Sequence, residues 1–226
     1  MSSAKSRDAL LLQRASLYAF IAVLLQILFF VLCVLVHVLS LQKSVYGFVD
    51  DTFGFLSEMA VGRYGGLMQA GFASLAAALF FTSATFRLEM QISQISSHCA
   101  FLFLICGINV LVILVFPLRG EISTSIHNLA VPPLLFLCAL SAFSLPSRIK
   151  KALPLKALVR PVGTAFFFLI VPLCGVIGVG WGVSGVSQRL LVLLLICGHL
   201  LALLRLLLFL RDRTKELTYP LPFSNP

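Results

Sequence analysis

Six long apolar runs dominate the chain, and shorter segments between them hold most of its charged residues. A helix needs roughly 20 apolar residues to cross the hydrocarbon core of a bilayer. Each run has about that length, so the pattern predicts an all-α, integral membrane six-helix bundle in which residues 1–226 form a single membrane domain. The predicted helices lie at about 17–41, 65–84, 98–116, 127–145, 162–183 and 189–210.

The composition of the chain supports a membrane location. Hydrophobic residues make up 60% of the sequence, charged residues make up 11%, and the mean hydropathy is +1.05. Soluble domains typically contain about 25% charged residues. With so few charges, most of the surface must contact lipid rather than water, which excludes a soluble enzyme or a soluble binding domain.

Lysine and arginine residues are distributed asymmetrically between the two sides of the predicted bundle. Twelve lie before residue 17, in segments 85–97 and 146–161, or after residue 210, whereas the opposite loops hold four. Positive charge accumulates in cytoplasmic loops, so both termini of this multi-pass membrane protein are predicted to be cytoplasmic (N-in and C-in). This bias accounts for the net charge of +9. We therefore expect membrane lipids, and no nucleic acid, as partners.

The cysteines and glycines of the apolar runs favour packing over chemistry. All six cysteines lie within or at the end of apolar runs, without a Cys-x-x-Cys pair, and such cysteines usually behave as small apolar side chains. Residues 180–185 match the Gly-x-Gly-x-x-Gly nucleotide-binding pattern, but that pattern requires a strand-to-helix turn and a later acidic residue. Here it ends a predicted membrane helix, so we expect close helix packing and no cofactor.

Polar residues suited to a binding site are concentrated at the predicted outer face. Ser57 and Glu58 precede the second helix, Arg119 follows the third, and His127 opens the fourth. A carboxylate this close to hydrocarbon is costly unless it is paired or hydrated, and a desolvated arginine needs a carboxylate or phosphate partner. Ser57, Glu58, Arg119 and His127 are therefore the candidate ligand-binding residues, which we call the outer cluster.

The sequence around His127 also predicts exposed backbone polar groups. Gly120 allows a sharp turn between the third and fourth helices. Pro132 and Pro133 leave the carbonyls of Asn128 and Leu129 without their helical partners. Free carbonyls at membrane depth persist where water or other groups satisfy them, so a hydrated notch is predicted beside His127.

Two short motifs resemble a known family. The Ser-Glu-x-x-x-Gly segment that begins at Ser57, and the Phe-Pro turn at Phe116 followed by the histidine that opens helix 4, are similar to the prokaryotic integral membrane family catalogued as domain of unknown function 998. The resemblance covers roughly residues 15–210 and implies a six-helix bundle of the prokaryotic cytoplasmic (inner) membrane, with no established activity. Members often carry an acidic residue soon after Phe-Pro. This chain has Arg119 there and Glu121 two residues later, so no acid role is transferred to the turn.

Three alternatives use the same residues or other histidines. His37, His127 and Glu58 could supply three zinc ligands, but no His-x-x-x-His or His-Glu-x-x-His pair places two of them on one helix face, so no metal is predicted. A hydrolase built from Ser57, His127 and Glu58 would require adjacent residues of one loop to orient separately. His199, near mid-depth in the last helix, has either a packing or a functional role.

The sequence thus leaves two functional hypotheses open. The first is a non-catalytic membrane protein whose outer cluster binds a lipid headgroup or small solute, or serves assembly with a membrane-protein partner or a second copy of the chain. The alternative is a membrane enzyme that acts on a lipid or lipid-linked substrate at the outer leaflet. In that case His127 would be the general base, and Glu58 would orient it.

Overall fold

The computed structural model describes residues 2–44, 60–61, 63–93, 98–117, 120–127, 129–130, 134 and 184–218. Regular structure in these residues is helical throughout and includes no strand, which confirms the all-α prediction. The long helices are α1 (Ser2–Ser44), α2 (Gly65–Ser93), α3 (His98–Val115) and α4 (Ser184–Thr218). The predicted helix at 162–183 and most of that at 127–145 lie outside the described residues, so the count of six remains a prediction.

Helix α2 packs antiparallel to α1, and α3 packs antiparallel to α2. The rings of Phe29 and Phe72 have centroids 6.1 Å apart, and those of Tyr18 and Phe81 are 5.6 Å apart. Residue numbers therefore rise along α1 as they fall along α2. The Ser83 hydroxyl of α2 donates to the Ala100 carbonyl at the start of α3, at 2.6 Å, so α3 runs back in the direction of α1.

Helix α4 returns along α1 in the opposite direction. The Gln26 amide donates to the Ile196 carbonyl, at 3.3 Å. Farther down α1, Val23 shares an apolar cluster with Leu203, and Leu12 shares one with Leu210. The N-termini of α1 and α3 therefore lie at the same end of the molecule as the C-termini of α2 and α4; we call this the basic end and the other the turn end.

Charged side chains distinguish the two ends. Six exposed basic side chains of the described helices lie at or near the basic end: Arg7, Arg14, Arg87, Arg211, Arg213 and Lys215. At the turn end, Arg63 and Glu121 are exposed. Glu89 is buried at the basic end and interacts electrostatically with Arg213, which ties α2 to α4. The described cations thus follow the asymmetry that the sequence predicts.

The outward face of α1 is apolar along most of its length. Its exposed large apolar side chains include Leu17, Leu24, Val31 and Val38, and the distance from Leu17 to Val38 along a helix is about 32 Å. The hydrocarbon core of a bilayer is ~30 Å thick. Among the described residues, segments Ser6–Leu39 and Gly65–Glu89 are long and apolar enough to cross a membrane, by length and composition, and Cys99–Val115 is a shorter apolar helix.

Hydroxyl and amide side chains within the helices mostly bond to nearby backbone. Without water in the surroundings, a polar side chain must find a partner inside the protein. Several of these partners are carbonyls three or four residues earlier in the same helix, as in the bonds from Ser74 to Gly71, Thr82 to Ala78, Thr85 to Phe81, and Asn109 to Ile105. These residues stay compatible with an apolar environment and require no ligand.

Candidate functional site

The turn after α3 begins at Phe116-Pro117. The amide of Phe116 still donates to the Val112 carbonyl, at 2.9 Å, and the helix then ends. Gly120 has a φ of +76°, a conformation that costs a side-chain-bearing residue free energy and that glycine adopts readily. The Thr124 amide donates to the Gly120 carbonyl, at 3.0 Å, which closes the first turn of a new helix. The predicted role of Gly120 is thereby confirmed.

The new helix begins earlier than the sequence suggests. Residues 121–127 are helical, so His127 lies in the second turn of this helix rather than opening it. The predicted bound of about 127 followed the apolar run, whereas the helix also includes the polar segment from Glu121 to Ser125 that precedes this run. The positive φ of Gly120 lets the chain reverse direction and start a helix at once.

His127 is fixed by a backbone carbonyl at the end of α3. Its side chain is only 2% exposed, and Nδ1 lies 2.9 Å from the carbonyl oxygen of Phe116. A carbonyl can only accept a hydrogen bond, so Nδ1 carries the proton. In a neutral imidazole, Nε2 then holds the lone pair. Nε2 is buried and has no hydrogen-bond partner among the described residues.

Ser123 binds the neighbouring carbonyl in the same way. Its hydroxyl donates to the carbonyl oxygen of Pro117. The last carbonyls of a helix have no partner within that helix, and here the side chains of Ser123 and His127 satisfy two of them. Because Ser123 and His127 are four residues apart, they share one face of their helix, and that face is held against the end of α3.

Apolar side chains on the outward side of this helix are exposed beside the exposed Glu121 and Ser125. Ile122 and Leu129 both project outward, and a spacing of seven residues places them on one face. On the inner side, Ala130 belongs to a buried apolar cluster that also contains Val110 and Ile113 of α3. His127 therefore lies beside the buried core, at the turn end of the molecule.

The other residues of the outer cluster cannot be placed. Ser57, Glu58 and Arg119 lie outside the described residues, as do Asn128 and the two prolines of the predicted notch. The outer cluster and the notch thus remain predictions.

His37, proposed as an alternative metal ligand, is half-buried near the C-terminal end of α1. His127 follows the C-terminal end of α3, which lies at the same end of the molecule as the C-terminal end of α1, so His37 and His127 are both at the turn end. No group of three histidine, cysteine or acidic side chains in the described part of the chain is arranged to hold a metal ion. The third residue of that alternative, Glu58, is outside this part.

No family model, curated protein or solved structure matches this chain. The resemblance to the membrane family named above therefore stays a prediction.

Sequence reasoning missed the two contacts that build this turn. It identified His127 and Gly120 but assigned no partner to Phe116 or Pro117. A signal was present, because a proline that ends a helix leaves the preceding carbonyls free, and histidine and serine side chains follow within eleven residues. Sequence alone does not specify which donors fold back, because that depends on the path of the turn.

Replacing Ser123 by alanine should destabilise the turn. The Pro117 carbonyl would lose its described donor, and a lost hydrogen bond of this kind costs about 1 kcal/mol. Ser125 provides a matched control, because its exposed hydroxyl bonds within its own helix, to the Glu121 carbonyl at 2.9 Å. Thermal unfolding in detergent micelles should show a lower Tm for Ser123→Ala than for Ser125→Ala. Equal Tm values would mean that the contact with Pro117 contributes nothing.

Proposed function

We propose that this chain is a polytopic protein of the cytoplasmic membrane, with six helices and both termini in the cytoplasm. The observation that carries the membrane assignment is the exposed apolar face of α1. The length of this face matches the thickness of the hydrocarbon core. A soluble protein rarely exposes an apolar patch of this extent. The concentration of exposed arginine and lysine at the basic end supports placing that end in the cytoplasm.

We further propose that the turn end binds a lipid headgroup or a small polar solute through His127. The observation that carries this proposal is the buried Nε2 atom, which has no partner in the described part of the chain. A buried polar atom without a partner costs about 1–3 kcal/mol, so a ligand that donates a hydrogen bond to it would gain that free energy. An ammonium or hydroxyl group of a lipid headgroup is such a donor.

The predicted members of the outer cluster complement this chemistry. Arg119 would bind the phosphate of the same headgroup, since guanidinium groups pair well with phosphate oxygens. Glu58 would bind its ammonium group or pair with Arg119. A phospholipid headgroup offers an anionic phosphate and a hydrogen-bond donor within a few ångströms of each other. It therefore fits the side chains of the outer cluster better than a small solute that carries charge of only one sign.

The orientation of His127 also suits a second function. A histidine whose Nδ1–H is held by a backbone carbonyl presents Nε2 in the form that a general base requires. The alternative is therefore an enzyme that acts on a lipid or lipid-linked substrate at the same place. In the binding function the lipid stays intact, whereas in the enzymatic function it is converted.

Native mass spectrometry of the gently extracted protein tests the binding function. The wild type and the Ser125→Ala control should carry one lipid adduct of defined mass. His127→Ala should reduce its occupancy about tenfold, which corresponds to about 1.4 kcal/mol, and Glu58→Ala should reduce it as well. An adduct retained equally by the wild type and both site variants, or absent from the wild type, would contradict the proposal. A wild-type adduct with the mass of a cleaved or modified lipid would favour the enzyme.

A further inference from the structure

Two buried polar atoms in the middle of the described helices have no protein partner. Most buried hydroxyl groups there bond to backbone carbonyls, as Ser74, Thr82 and Ser83 do. Oε1 of Gln26 and Nε2 of His199 are exceptions among the described residues. They belong to different helices, α1 and α4, which pack against each other.

The orientation of the Gln26 amide is set by its one protein contact. Gln26 is 1% exposed, and its Nε2 donates to the Ile196 carbonyl at 3.3 Å. Because a carbonyl only accepts, the NH₂ group must face Ile196. Oε1 therefore points away from the Ile196 carbonyl, and its lone pairs are buried without a hydrogen-bond donor among the described residues.

His199 is held at the same depth by an aromatic contact. Its ring stacks on that of Phe103 of α3, with centroids 5.0 Å apart and planes inclined by 15°. Helical carbonyls point toward the C-terminus of their helix, so the Ile196 oxygen lies between the levels of residues 196 and 199. Helical side chains lean toward the N-terminus, which brings the His199 ring back toward the Gln26 amide.

The surroundings of the two side chains are apolar. Ile196 belongs to the main buried cluster, while Val23 and Leu203 form a second cluster one turn toward the basic end. Gln26 and His199 make no direct hydrogen bond to each other among the described contacts. Each unpartnered atom costs free energy in such an environment, and a single small molecule between them would satisfy both.

We propose that Gln26 and His199 form a buried binding site for one water molecule between α1 and α4. The water donates one hydrogen bond to Oε1 of Gln26 and makes a second with Nε2 of His199, as donor or acceptor according to the tautomer of the ring. Buried waters typically make two to four hydrogen bonds to groups that lack other partners. This site is separate from the turn end and does not depend on the function proposed there.

Water-edited solid-state NMR of the full chain in lipid bilayers, with ¹⁵N-labelled histidine, tests the proposal directly. The His199 signal is assigned by its loss in His199→Phe. In the wild type, polarisation should pass from water to Nε2 of His199, and Gln26→Leu should abolish that transfer. Asn109→Leu is the matched control, because the Asn109 amide bonds within its own helix, to Ile105 at 3.0 Å, and it should leave the transfer unchanged.

A double-mutant cycle provides the second measurement. If one water links the two side chains, Gln26→Leu and His199→Phe should be coupled, and the unfolding equilibrium constant of the double variant should differ about tenfold from the value expected for independent effects. The pair Asn109→Leu and His199→Phe should behave independently. No water-to-His199 transfer in the wild type, transfer unchanged in Gln26→Leu, or independent effects in the cycle would each overturn the proposal.

Discussion

Replacing Phe103 by alanine should lower the free energy of unfolding by about 3–5 kcal/mol, the range for truncating a buried aromatic side chain. Phe103 is fully buried, and its ring lies between those of two other helices. The Phe86 ring of α2 is parallel to it at 5.7 Å, and the His199 ring of α4 stacks on it at 5.0 Å. Its loss would leave a cavity where α2, α3 and α4 meet, and packing is the main force between helices in a bilayer.

Phe101, in the same helix α3, provides a control, because the same Phe→Ala substitution can be made there at an exposed position. Phe101 is 58% exposed, whereas Phe103 is 0% exposed. Exposed side chains away from special features usually contribute less than about 0.5 kcal/mol, so Phe101→Ala should unfold almost like the wild type. Denaturant titration in detergent micelles, followed by circular dichroism, measures both variants. Equal losses for Phe101→Ala and Phe103→Ala would show that α3 does not pack with this face inward.

Replacing Gly65 by alanine should also be strongly destabilising, by about 3 kcal/mol. A Cβ atom at this position would lie 2.9 Å from the Ala60 carbonyl carbon and closer still to its oxygen. These are backbone atoms of the turn that leads into α2, and the Gln69 amide also donates to the Ala60 carbonyl, at 3.1 Å. The turn would have to open, and overpacking against an inflexible neighbour typically costs about 1–3 kcal/mol or more.

At the adjacent glycine, Gly66, the same substitution should not lower the stability of the protein. A Cβ atom at Gly66 would meet no atom within 4 Å, and alanine is favoured over glycine within a helix by about 1 kcal/mol. Gly66→Ala should therefore be neutral or slightly stabilising. The midpoint of thermal unfolding should fall for Gly65→Ala and stay level or rise for Gly66→Ala, relative to the wild type. A similar shift for both would show that the close approach of residues 60 and 65 is not a feature of the folded protein.

Apolar runs predicted the helices well at some boundaries and poorly at others. Helices α2 and α3 begin at residues 65 and 98, as the sequence suggested. Helix α2, however, continues to Ser93 rather than ending near 84, and α1 begins at Ser2 rather than near 17. Hydropathy reports which residues tolerate hydrocarbon, whereas a helix can continue into water with polar residues such as Arg87 and Gln91.

The candidate site was predictable in part. His127 and Gly120 stood out because histidine is unusual in a membrane segment and glycine permits a reversal of the chain. The bond from His127 to Phe116 joins residues eleven positions apart, and no local pattern encodes it. The same limit applies to Gln26 and Ile196, which come together from distant parts of the sequence because α1 and α4 pack side by side.

We propose that these helices cross a membrane, with the basic end in the cytoplasm and the turn end outside. It is tested most directly by labelling Glu121→Cys and Asp212→Cys, each in a chain whose six natural cysteines are replaced by alanine. Both positions are exposed, at the turn end and the basic end respectively, and both exchanges leave the distribution of lysine and arginine unchanged. We expect a membrane-impermeant maleimide to modify the Glu121→Cys variant in intact spheroplasts and the Asp212→Cys variant only after permeabilisation. Labelling of both positions from the same side, or extraction of the chain from membranes by alkaline carbonate, would contradict it.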